Sequence, residues 1–151
     1  MTEERPSEAA VQAWARLVRV EQGLLDRIEG DLKLAGLPPL VWYDVLLELV
    51  RGPADRLRHR DLHGRMLLAK YNLSRLLDRM VADGLVGRQP VDDDARGEYV
   101  RVTTRGRDMQ KRMWTVYRRA IARHFSSHLS AEDIDQLLRI LSKVSFKNDD
   151  D

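Results

Sequence analysis

Six polar side chains near the middle of the chain have the types that read nucleic acid: Lys70, Tyr71, Asn72, Ser74, Arg75 and Arg79. An arginine binds guanine O6 and N7 in bidentate fashion, and an asparagine does the same for adenine N6 and N7. Interleaved with them, Leu73, Leu76, Leu77 and Met80 recur at helical intervals. That spacing predicts an amphipathic helix from about Ala69 to Asp83, with the leucines inward and the six polar side chains outward. A helix whose first turns enter the major groove presents such side chains to base edges. The competing reading is an ordinary solvated helix face. Arg79 has a second option, an ion pair with Asp78 or Asp83.

The elements after this helix decide how it would be presented. Gly84 accepts a left-handed backbone and stops the helix. Leu85 to Gln89 predicts a short strand that carries Arg88, a further candidate DNA contact. Asp92 to Gly97 reads as a polar turn, and Tyr99, Val100 and Val102 as a returning strand. Arg96 at the turn has the charge that a narrow minor groove attracts. Asp94 would hold that arginine outward or cap the turn; the alternative is a loop ion pair of little energetic weight. A helix, a hairpin and a further helix, with basic residues on one face of the first, is the plan of a winged helix that reads DNA.

The remaining chain is helical, so the fold class is mainly α with a small β-hairpin wing. Helices are expected from Ser7 to about Lys33, from about Pro39 to Val50, from Arg58 to Met66, and from Thr104 to about Ser126. A last helix opens at Ser130, where Ser130-x-x-Asp133 resembles a capping box. Leu57 reads as a one-residue edge strand. With no repeats and no Gly/Ser linkers, 151 residues make one domain. It divides into a winged-helix lobe, 39–106, and a helical lobe from 7–36 and 107–146. The terminal helices carry more apolar stripe than the small central lobe covers, which points to a second subunit.

Composition excludes several classes. There is no cysteine, hence no disulfide framework and no thiolate metal site. No apolar run approaches the ~20 residues of a membrane span, and the N-terminus has no apolar signal region; a cytoplasmic protein is expected. No Gly-rich phosphate loop, nucleophile elbow or paired-carboxylate site is present, so no enzyme or cofactor is expected. Asp92 to Asp94 lacks the spacing of a calcium loop. His124 and His128 are four apart but have no third ligand; they read as residues at a helix end, favoured by its dipole. The net charge is only +2, but Arg51 to Arg88 carries nine basic residues against four acids, and Ser130 to Asp151 six acids against three bases. A polyanion would meet the middle of the chain.

From Ser7 to Val144 the layout resembles the MarR family of bacterial winged helix-turn-helix regulators. Its most specific part is the wing, Asp94-x-Arg96 followed by Arg101, Thr103 and Gly106; Val102 stands where the family has Leu. Leu73-Ser74-Arg75-Leu76-Leu77-Asp78-Arg79-Met80, then Gly84-Leu85-Val86, is similar to the family's recognition helix and its exit. The resemblance implies a homodimer, a pseudo-palindromic double-stranded operator, a repressor role, and often release by a small aromatic effector. It places that effector near the junction of the lobes, where Trp42 and Tyr43, with Trp14, become pocket candidates; core packing is the alternative. The sequence departs from the pattern at His63, where the family has a small alanine, with Gly64 beside it to relieve crowding, and at Leu67-Leu68, where it has a glycine. A winged helix that binds a protein instead of DNA is the other class of function open at this stage.

Overall fold

The structure, a computed structural model, describes residues 4–68, 72–91, 94–144 and 146, and of 94–96 the backbone only. Ser7 starts α1, Glu8–Leu34, by accepting a hydrogen bond from the Ala10 amide. Only the second half of α1 enters the core, through Ile28 and Leu32. Further toward the N-terminus Val11, Trp14 and Leu17 stay exposed. Helix α2, Leu40–Arg51, is the axle of the molecule. Leu40, Tyr43, Val45, Leu46 and Leu49 are all buried, the pattern of a helix packed on several sides.

A short turn leads to β1, Arg56–Arg58, then α3, His59–Arg65, and α4, Leu73–Ala82. Strands β2, Val86–Val91, and β3, Asp94–Val102, form the wing. The sheet is antiparallel in the order β1-β3-β2. Alternation along the strands turns Leu57, Val86, Val100 and Val102 into the core. Pro90, which cannot donate to a ladder, sits on the edge strand β2 beside a register shift. Helix α5, Thr104–His124, returns along α1 and α2, and α6, Ala131–Leu141, closes the chain.

Three boundaries differ from expectation. Helix α4 begins at Leu73 instead of Ala69, because Asn72 takes a left-handed backbone, φ 62°, and stands as its cap. Strand β3 begins at Asp94, so Asp94 to Gly97 is strand and not turn. Leu57 belongs to a three-residue strand paired with β3. The capping box at α6 forms as expected: Asp133 N donates to Ser130 Oγ at 3.0 Å and Ser130 N to Asp133 Oδ2 at 2.9 Å. These bonds from Ser130 hold the Asp133 carboxyl below its usual pKa. Yet no residue of α6 is buried, and Leu138, Leu141 and Val144 are exposed.

Candidate nucleic-acid interface

Helix α4 shows two faces. Leu73, Leu77 and Met80 are buried, while Ser74, Arg75 and Arg79 are exposed. Neither Arg75 nor Arg79 has an ion-pair partner among the described residues. Asp78, one of the two acids weighed for Arg79, pairs with Arg88 instead. Asn72 lies at the helix cap and not within its first turn. Lys70 and Tyr71 fall outside the described residues; Asp94 and Arg96 are placed on β3 by their backbone.

Three contacts fix where α4 points. Asp44, on the largely apolar α2, is buried and accepts from Leu68 N at 2.8 Å. A buried carboxylate is costly unless it is hydrogen-bonded, so this acid is there to hold the turn before α4. Sequence reasoning missed it, although an acid between Tyr43 and Val45 in an apolar run was the available signal. His59 Nε2 lies 3.4 Å from Ser74 Oγ, joining the start of α3 to the first turn of α4. Arg88, a candidate DNA contact from the sequence, makes three contacts within the fold. Its guanidinium lies 2.6 Å from Asp78 Oδ1 on α4 and 3.0 Å from Glu98 Oε1 on β3, and it donates to Ser74 O at 3.3 Å. It braces the helix against the wing with its charge already matched.

The end of the wing motif, Thr103 and Gly106, is architectural. Thr103 caps α5, its hydroxyl accepting from Gly106 N at 3.0 Å and donating to Gly84 O at 2.6 Å. Leu85 O accepts from Thr103 N at 3.1 Å. At Gly106 an added Cβ would lie 2.1 Å from Leu85 O, so only glycine lets α5 come this close. Gly64 relieves no crowding: a Cβ there would meet nothing within 4 Å. His63 is exposed, and Leu62 beside it fills the core.

The three aromatic pocket candidates are not gathered into one site. Trp14 is exposed and Trp42 is packed against the core. Tyr43 stacks on Trp114, centroids 6.1 Å apart, with the Tyr117 ring edge-on at 5.1 Å. A cleft of about 210 Å³ lies elsewhere, between α1 and α5, walled by Leu24, Leu25, Ile28, Ala120, Ile121 and Phe125. At its end His124 Nε2 meets Asp31 Oδ2 at 2.9 Å, so His124 ties α5 to α1 and is not merely a helix-end residue. Among the described residues no group of three or more His, Asp or Glu could hold a metal ion. No described helix is long and apolar enough to cross a membrane.

Burial pushes the Tyr43 phenol above 10, and Asp44 adds to it against the Gln110 hydrogen bond and Arg51. Burial raises Tyr117 likewise, helped by Tyr43 and Asp44. A phenol with a higher pKa folded than unfolded contributes stability fully present below pH 10 and lost as pH rises through the raised folded values. Ultraviolet titration is therefore expected to show a late tyrosine step, coincident with loss of helix by circular dichroism, that shrinks when Tyr43 or Tyr117 is replaced by Phe. A titration unchanged by both replacements would contradict this.

A helix-turn-helix pair, α3 and α4, braced to a three-stranded wing and carried on long helices defines a winged helix-turn-helix fold. A sequence model of the MarR family matches residues 35–97. The uncharacterized HTH-type transcriptional regulator YkoM of Bacillus subtilis is 26% identical over 141 residues, 93% of this chain and 89% of that protein. AbsC, a MarR family transcriptional regulator from Streptomyces coelicolor, is similar with a TM-score of 0.82 at 27% identity, over 94% of this chain and 95% of that one. Sco3205, a MarR family regulator from the same organism solved in complex with DNA, is similar with a TM-score of 0.85 at 22% identity, over 95% and 89%. Residues 35–97 match the MarR family, and over nearly its whole length the chain is similar to MarR family transcriptional regulators.

Proposed function

We propose that the chain is a cytoplasmic homodimeric repressor that reads a pseudo-palindromic operator with α4 in the major groove and the wing, through Arg96, in the minor groove. The observation that carries the reading is the exposed face of α4, where Ser74, Arg75 and Arg79 have no carboxylate partner among the described residues while Arg88 and Asp44 hold the helix in place. The unpartnered stripes support the dimer. Trp14 is 67% exposed and Leu138 60%, a face that a lone chain would leave in water. Together α1, α5 and α6 would form the dimerisation lobe, and 39–106 the DNA-binding lobe.

A small aromatic effector would enter the α1–α5 cleft. Its walls are apolar, and α5 is clamped to the wing at Thr103 and Gly106. Shifting α5 against α1 would then shift the wing. By linkage the operator weakens effector binding by the factor that the effector weakens the operator.

Light scattering at micromolar concentration is expected to return about twice the 17.5 kDa chain mass, and selection from random duplexes an inverted repeat. Deleting Met1 to Glu29 is expected to abolish folding or cause aggregation. A folded monomer, or selected sites without a repeat, would remove the dimeric operator reading.

A further inference from the structure

The outer face of the wing sheet is not explained by recognition helix or wing tip. The register sets Arg56 directly across from Arg101, and Arg58 and Gln89 across from Tyr99 on either side. Since Leu57, Val100 and Val102 face the core, alternation places Arg56, Arg58, Tyr99 and Arg101 on the opposite face. Like charges directly opposite one another in a sheet are unfavourable. Here no described carboxylate relieves them. Glu98 is paired with Arg88, and Asp55 with Arg107.

Arg56 and Arg58 are also ordered in advance. The Arg56 guanidinium carbon lies 4.1 Å from the Tyr99 ring centroid, and Arg58 reaches the same ring at 5.9 Å. Arg56 Nη1 donates to Gln89 Oε1 at 3.3 Å. A stacked guanidinium keeps its fork of donors in one plane and gives up less entropy when it grips an oxyanion. Uncompensated, pre-ordered positive charge on one flat face fits a polyanion.

Resting on the DNA-binding reading above, we infer that this face is a second duplex site. It holds backbone phosphates of DNA flanking the operator, separately from α4 and the wing tip. The duplex is favoured as the occupant because the face continues the DNA-reading surface. Strand β1 runs straight into α3, whose His59 meets Ser74 of α4. Gln89 is the chain neighbour of Arg88, which braces α4 from the other side of the sheet. Phosphate binding of this kind is sequence-independent, so it extends the footprint and steepens the salt dependence without adding base preference.

The test uses the full chain and the duplex recovered by selection, in two lengths. One is trimmed to the inverted repeat; the other adds one helical turn, about ten base pairs, of arbitrary sequence at each end. The parent is expected to bind the flanked duplex at least about fivefold tighter, with a salt slope steeper by about one for each phosphate engaged. The double variant Arg56→Gln, Arg101→Gln is expected to lose that gain, binding both lengths alike. Arg58→Gln, which leaves the Arg56–Tyr99 stack in place, is expected to lose part of it and carries the test if the double variant fails to fold. A parent that binds both lengths equally, or folded variants that keep the full gain, would overturn this site; an acidic protein would then be the occupant to test. A parent that binds neither length overturns the operator reading as well.

Discussion

Replacing Gly106 with alanine is expected to cost the fold about 3–5 kcal/mol, with overpacking contributing about 1–3 and two strained hydrogen bonds about 1 each. The new methyl would lie 2.1 Å from Leu85 O and 2.8 Å from Val102 Cγ2. Leu85 O is backbone and cannot swing aside. The only relief is to lift α5 off the base of the wing. That movement strains the bond from Thr103 N to Leu85 O and the one from Gly106 N to Thr103 Oγ1. This cost is a large fraction of the roughly 5–15 kcal/mol by which a domain is stable. The same substitution at Gly64, also in a helix, should act in the opposite direction. Nothing lies within 4 Å of a Cβ there, and alanine gains about 0.5–1 kcal/mol over glycine in a helix. Urea unfolding followed by circular dichroism measures both. A Gly106→Ala protein as stable as its parent would mean that the clamp does not join wing and helix as described.

This clamp marks where the sequence could be read and where it could not. Helical periodicity located α1, α2, α5 and α6 to within a few residues, because apolar spacing is a local property. Ser130 and Asp133 were legible as a cap for the same reason. The start of α4 was not, since it depends on the left-handed Asn72 and on Asp44 reaching Leu68 from a helix 24 residues earlier. Arg88 looked like any basic residue of the wing until the fold brought Asp78 and Glu98 to it. Charge counting also stopped short: Arg101 to Arg123 holds eight basic residues against one acid, a stronger bias than the segment that drew attention. Gly106 was recognised only as part of a pattern. Its reason, a close approach of two backbones, is a tertiary fact. The ring partners of Tyr43 were not legible for a similar reason: Trp114 and Tyr117 stand on α5, far along the chain.

The second large effect concerns Arg75, exposed on the first turn of α4 with no ion pair among the described residues to lose. Arg75→Ala therefore should leave stability within about 0.5 kcal/mol of the parent, as surface substitutions do. Its cost should fall on DNA. A bidentate pair with a base is worth about 1–3 kcal/mol of discrimination. A dimer on a palindrome forgoes two such pairs, and every 1.4 kcal/mol is tenfold in affinity. Arg96→Ala, at the wing, should fail differently. It should weaken selected and shuffled duplexes together and flatten the salt slope by about one for each phosphate no longer neutralised.

Whether α4 and the wing read DNA is tested most directly by fluorescence titration of parent, Arg75→Ala and Arg96→Ala. Each is titrated against the selected palindrome, its half-site and a shuffled duplex at several salt concentrations. Arg75→Ala is expected to lose affinity for the palindrome at twice the half-site cost in free energy, while its weak binding to the shuffled duplex is kept. Arg96→Ala should lose affinity for all three. If both folded variants bind the palindrome as tightly as the parent, α4 and the wing do not read DNA, and the winged helix serves a protein partner instead.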